Sequence, residues 1–400
     1  MSRDGSLALP PDSLLLHIGP HKTGTTAVQS ALRNAKPLLP QYGAQYVGSG
    51  LNAHLGALYV TGSPGQRGDP TPRAVNWQRL RKQVKRTHGR RGIVSSERFC
   101  TADPEAAKRI VADLGGDRVH VVITLRPLAR MLASQWQQHV QIGLRVSYQR
   151  WLRYVFAEQP TNRPAQVFWR RHAHDELTER WAAAAGVDHV TVVVADDDDR
   201  TMLTGAFETL LALPSGTLVA ELTQSNRSLT YGETEIIRQL NQEYVARGWS
   251  ARTYRQFISG GAAAAMKLRQ PAPDEPRVAT PRWAAERAAE RAGLAAKRIA
   301  DSGVRVIGDL DQLTRLPSLL SDEPAARGTD DAPAAPVPAS AAVAGMVGVI
   351  LATETVPRSA DVAMLTPAEQ EQVTAGITTR RLAAILRRRL RDRARRRLGR

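Results

Sequence analysis

Residues 15–29, LLHIGPHKTGTTAVQ, run from a short apolar strand through a glycine-containing loop into a helix. That order builds an anion site. The first N–H groups of a helix have no acceptor within it, and the helix dipole adds partial positive charge at the same end. Lys22 supplies a full charge, and Thr25 and Thr26 supply hydroxyl donors. The ligand this stretch calls for is a phosphate or a phosphate-like group.

The loop departs from a nucleotide-triphosphate loop. That motif places Lys directly after its second Gly and Ser or Thr next, to hold Mg²⁺. Gly19 and Gly24 have the right spacing, but Thr25 stands where the Lys belongs, and the Lys has moved to position 22. An ammonium there can lie beside a leaving group, without the metal-and-Lys arrangement over β- and γ-phosphates.

A second element follows at 118–140, RVHVVITLRPLARMLASQWQQHV. Val119–Leu125 fits a buried strand of a parallel sheet. Arg126 stands at its end, Pro127 is placed at the first helical position, and Ser134 lies about two helical turns beyond Arg126. Between the two elements, residues 91–100 read RGIVSSERFC. Gly92–Ser95 is a short strand by composition, with Glu97 just past its end. In open α/β sheets the C-terminal strand ends line the ligand crevice.

HKTGTT resembles the 5′-phosphosulfate loop, roughly P-K-[ST]-G-T-T, of sulfotransferases that use 3′-phosphoadenosine 5′-phosphosulfate (PAPS), with His21 where Pro is frequent. Arg126 and Ser134 resemble the 3′-phosphate site of the same family. The match covers about residues 14–141 and looks like the bacterial branch of the P-loop sulfotransferase superfamily. It implies an α/β fold with a central parallel sheet flanked by helices. It also implies PAPS as sulfuryl donor with no metal. His21, Lys22, Thr23, Gly24, Thr25, Thr26, Arg126 and Ser134 would hold that donor. Lys22 would act in catalysis, and Glu97 would stand where cytosolic members carry a catalytic His. Glu97 is the first candidate base, with His54, His21 and His139 as fallbacks. The plain alternative is that Glu97 caps its loop or pairs with Arg98. The acceptor would be a hydroxyl or amine of a carbohydrate, a lipid-linked sugar or a small molecule.

His189–Ala195 is another expected strand. The Asp196–Asp199 run after it reads as a solvated loop opening a helix over Met202–Leu213 rather than as a magnesium site. Asn226-Arg227-Ser228 reads as a cap before an amphipathic helix. The basic Arg-Lys-Gly element that many animal cytosolic members carry near their C-terminus is not apparent, and the resemblance leaves Arg227 as its candidate substitute. Residues 44–76 are Gly-rich and read as an irregular loop over the crevice. A helix is expected over Pro281–Ala300 and a strand over Val304–Ile307.

The chain of 400 residues divides into an α/β domain over 1–320, an Ala/Pro-rich linker over 321–341, and an extension over 342–400. Ala342–Ala352 is apolar but short of the ~20 residues of a membrane span. The one cysteine, Cys100, excludes an internal disulfide framework. With no secretory signal in view, a cytoplasmic enzyme is expected. Net charge is +17, and Arg380–Arg400 holds eleven Arg against one Asp. That basic amphipathic helix reads first as a solvated helix packing its narrow apolar stripe on the body, then as a contact for an anionic membrane surface, and after that for nucleic acid. Two other function classes stand beside the enzyme. One is a non-catalytic P-loop-fold protein that binds membrane or nucleic acid through this tail. The other is a Mg²⁺-dependent nucleotide kinase or triphosphatase.

Overall fold

The computed structural model describes residues 7–48, 51–63, 71–159, 161–196, 198–199, 201–220, 227–322 and 337–353. The basic tail Arg380–Arg400 and residues 323–336 of the linker lie outside the described residues. The strands are, in chain order, β1 (Leu14–Gly19), β2 (Ala44–Tyr46), β3 (Arg91–Ser95), β4 (Val119–Leu125), β5 (Val190–Val194), β6 (Thr280–Pro281), β7 (Arg305–Ile307) and β8 (Leu320–Ser321). Six form one sheet in the order β2-β3-β1-β4-β5-β7, with every neighbouring pair parallel. β6 and β8 form a separate short pair. The chain is α/β, with a central parallel sheet and helices on both faces.

β1 and β4 are apolar runs in which every residue is buried. Alternate side chains enter opposite layers, as strand geometry requires. Leu14, Leu16 and Ile18 join one core with Val121, Ile123 and Val192. Leu15 joins the other with Val122 and Val193. Burying each of these leucines contributes roughly 1.5–3 kcal/mol, so β1 is firmly anchored. Helices Thr25–Ala35 and Met202–Leu211 cover the Leu15 face through Val28, Leu32 and Phe207. Helices Pro104–Leu114, Leu128–Gln141, His174–Ala185 and Arg282–Asp301 cover the Leu14 face.

β1 lies between β3 and β4, and the helix that follows β1 covers the Leu15 face while those that follow β3 and β4 cover the Leu14 face. A crevice therefore opens at the C-terminal ends of β3, β1 and β4, where the winding direction reverses.

Several local expectations need correcting. Residues 44–76 are not an irregular loop. They hold β2, a helix over Leu51–Val60 and the start of another over Ala74–Lys85. Gly48 and Gly62 turn the chain at φ +71 and +60 between elements. Gly56 sits inside its helix because a Cβ there would lie 3.1 Å from the Asn76 carbonyl oxygen of the neighbouring helix. Pro127 is the residue before the helix, with ψ 121, rather than its first helical residue. Asn226 lies outside the described residues, and the cap of helix Tyr231–Ala246 is Thr230. Its hydroxyl accepts from the Glu233 N–H (3.3 Å) while Glu233 accepts from the Thr230 N–H (2.8 Å).

In the aspartate run, Asp199 accepts from the N–H groups of Thr201 (2.8 Å) and Met202 (3.1 Å) at the next helix start. Asp196 and Asp198 pair with Arg315. Ala339–Thr353 is helical and packs on the π-helical turn Tyr254–Ala262, where Gly348 meets the Gly261 backbone. Among the described residues no helix is long and apolar enough to cross a membrane.

Candidate functional site

Three glycine-dependent or left-handed positions shape the loop after β1. Gly19 has φ +79, and a Cβ on it would lie 2.9 Å from the Glu97 Cβ, so only glycine lets β1 end against the turn after β3. Lys22 itself adopts φ +68. Gly24 caps the helix at φ +91, and a Cβ there would meet Leu203 Cδ2 at 2.4 Å. The Thr23 and Thr25 hydroxyls both donate to the Pro20 carbonyl, at 2.7 and 3.1 Å. These two threonines tie the loop together, and Thr26 is the one whose side chain is exposed. The N–H groups of Thr25 and Thr26 open the helix with no carbonyl a turn below them.

A buried hydrogen-bond chain fixes the loop to three strands. Ser95 Oγ lies 2.8 Å from His17 Nδ1, and His17 Nε2 lies 3.2 Å from Thr124 Oγ1. Thr124 Oγ1 lies 2.7 Å from Thr23 Oγ1. Burial pushes His17 down to about 3, so the ring is neutral. One assignment satisfies every group: Ser95 donates to Nδ1, Nε2–H donates to Thr124, Thr124 donates to Thr23, and Thr23 donates to Pro20. The chain crosses β3, β1 and β4 in turn. Patterning shows none of it, because its members are far apart in sequence.

Glu97 follows β3 by two residues and is half-buried. Gln29, on the helix that the loop opens, donates through Nε2 to Glu97 Oε2 (3.3 Å) and to Ser95 Oγ (3.3 Å). Among the described residues no ion pair joins Glu97 to Arg98. Gln29 was not singled out from the sequence, although it lies three residues past Thr26 on one helix face.

Lys22 is exposed to the crevice. Its ammonium is nevertheless pushed down to about 8, first by desolvation in the concave wall and then by repulsion from Lys267 and Arg126. The structure therefore brings Lys22 and Arg126 together, and it adds Lys267 from helix Ala263–Leu268. Lys267 is itself lowered by burial and by Arg227. No local pattern in the sequence marks it. Arg227, the candidate substitute for the basic element, binds Glu233 at 2.8 Å. Ser134 is half-buried in the second turn of its helix, where its hydroxyl donates to the Met131 carbonyl (3.0 Å). It must turn away from that carbonyl to donate to a ligand.

No protein-family model matches the chain, and no curated protein matches it either.

The fallback bases are weakened by their surroundings. His21 is buried, and desolvation followed by the Arg171, Arg98, His172 and Lys22 charges pushes it well below its ordinary value. His139 is pushed down to about 3, by burial first and then by Arg171. Rings held that low accept a proton poorly at neutral pH. His54 lies half-buried on helix Leu51–Val60. The Cys100 thiol is buried and pushed up to about 11 by that burial, which leaves it unreactive.

Proposed function

We propose that the chain transfers a sulfuryl group from PAPS to a hydroxyl or amine acceptor. The observation that carries this reading is the convergence of Lys22, Glu97 and Arg126 at the C-terminal ends of three adjacent parallel strands, β1, β3 and β4. The residues fit the donor, which supplies an activated sulfuryl group on a 5′-phosphate. Lys22 and Lys267 offer cationic charge, and Thr26 together with the helix start offers donors to the 5′-phosphate. Arg126, with Ser134 once turned, serves the 3′-phosphate, for which a guanidinium gives a forked contact.

In the proposed step the acceptor oxygen forms a bond to sulfur as the bond from sulfur to the 5′-phosphate oxygen breaks. Lys22 neutralises the charge growing on that leaving oxygen. Glu97, oriented by Gln29, takes the acceptor proton.

Calorimetry with 3′-phosphoadenosine 5′-phosphate (PAP) against ADP tests the reading. Losing a charge-assisted contact of about 1.5–3 kcal/mol weakens binding on the order of tenfold to a hundredfold. PAP should bind tighter than ADP by that factor, and Arg126→Ala should erase the difference. Equal binding of the two nucleotides sinks the proposal.

A further inference from the structure

A cavity of about 790 Å³ opens beside the Glu97–Arg98 turn, and four arginines line it: Arg98, Arg163, Arg170 and Arg171. Arg163, Arg170 and Arg171 recur on one face of helix Arg163–His172, at the spacing that stacks side chains along a helix. Arg98 closes the inner wall at 8% exposure. Ser63 and Thr101 hydroxyls, 2.7 Å apart, join two other walls. Among the described residues no Asp or Glu lines the cavity. Among the described residues none of the four guanidinium groups forms an ion pair, and Nε of Arg98 and of Arg171 is buried without an acceptor.

Like charges gathered in a low-dielectric wall repel one another, and an uncompensated buried cation is strongly unfavourable. Guanidinium groups relieve both costs by forking onto a carboxylate, sulfate or phosphate. Burial pushes Arg171 down from its ordinary value, with Arg98 adding repulsion and Cys100 and Glu97 offsetting part of it. His139 on the facing wall is neutral and does not add to the charge.

The cavity does not contain Lys22, Glu97 or Arg126. It shares a wall with them. Arg98 directly follows Glu97, and Arg171 and Arg98 are the strongest charges acting on His21 of the loop. A molecule whose nucleophile lies at Glu97 can therefore extend into the arginine-lined space.

We propose that this cavity seats the acceptor, and that the acceptor carries an anionic group, a carboxylate, sulfate or phosphate, on the side remote from its nucleophile. The proposal rests on the sulfuryl-transfer reading above.

The test uses the full chain saturated with PAP. Calorimetry compares 4-nitrophenyl glucuronide, 4-nitrophenyl glucoside 6-phosphate and the neutral 4-nitrophenyl glucoside. The two charged probes should bind at least about tenfold tighter than the neutral one, as a charge-assisted contact predicts. Their ranking tells carboxylate from phosphate. The double variant Arg163→Glu, Arg170→Glu alters two exposed residues, so the fold and PAP affinity should stay unchanged while the preference for charged probes disappears. Equal binding of charged and neutral probes, no binding of any at millimolar concentration, or a preference that survives in the double variant overturns the proposal. Failure of PAP itself to bind, measured first on the same protein, defeats the sulfuryl-transfer reading and the acceptor role with it. Absence of any charge preference in the parent chain with PAP bound defeats this proposal alone.

Discussion

Lys22 sits in a left-handed backbone at φ +68 with its ammonium pushed down to about 8. The sign of its pH effect follows. In the free fold the charged form is disfavoured, so charged Lys22 is a cost below pH 8 that deprotonation removes. A bound polyanion favours the charged form and raises the pKa again. PAP affinity should hold steady below pH 8 and fall above it, with proton uptake on binding. Calorimetry in two buffers of different ionisation heat reads that uptake. Affinity unchanged up to about pH 9 would count against this account. Lys22→Ala should abolish transfer while leaving the thermal midpoint within a few degrees, because the side chain is exposed. Glu97→Gln should lower kcat by about 10²–10⁴ with PAP affinity intact, the range for a lost general base. An unaltered kcat would move the base elsewhere.

The loop and the two helices beside it depend on one tight approach. Gly24→Ala would place a methyl 2.4 Å from Leu203 Cδ2 at φ +91. The left-handed backbone costs roughly 1–2 kcal/mol, and the overlap adds about 1–3 kcal/mol. Combining it with Leu203→Ala should relieve the overlap alone, so urea denaturation of the double-mutant cycle should show coupling of about 1–3 kcal/mol. Strict additivity would rule out the steric explanation. The same scale shows what the sequence could reveal. β1, β3, β4 and β5 were legible because a buried parallel strand reads as a continuous apolar run, and Lys22, Glu97 and Arg126 sit at the ends of three of them. The helix Leu51–Val60 was hidden by glycines that serve close packing rather than irregularity. Lys267 was hidden because a lysine within AAAAMKLRQ looks like an ordinary solvated residue. The His17 chain joins partners from β3, β1 and the loop, and no local pattern marks such contacts.

Across the whole molecule, the segment that carries Lys267 is tied by Arg227, which donates to the Met266 and Arg269 carbonyls and belongs to an ion-pair network in which Glu233 is fully buried. Glu233 binds Arg227 at 2.8 Å and Arg269 at 3.0 Å, and Arg269 also pairs with Glu275. Burial raises the Glu233 pKa, but Arg227, the Thr230 N–H and Arg269 together outweigh it and leave the carboxyl lowered. A lowered carboxyl contributes stability that is present above its unfolded value and is lost as pH falls through the folded one. Glu233→Gln should destabilise by about 3–5 kcal/mol, because it strands the Arg227 cation and leaves Arg269 with Glu275 alone. It should also flatten the acid side of the stability profile and weaken PAP by disturbing Lys267. Denaturation melts from pH 3 to 7 check the first two outcomes, within the window about the ordinary carboxyl value. A variant as stable as the parent would mean that the network is dispensable.

The central place of β1 has a consequence for how the protein is made. Leu14 pairs with Gly92 on one side and Val119 on the other, so the first strand to be synthesised waits for both neighbours. Contacts this distant in sequence close slowly, since the intervening chain must give up its freedom before they form. At about 5–20 residues per second on the ribosome, HKTGTT is present for several seconds before the strand that carries Arg126 emerges. A chain arrested short of Val119 holds Lys22 and Glu97 but neither Arg126 nor the strand that leads to it.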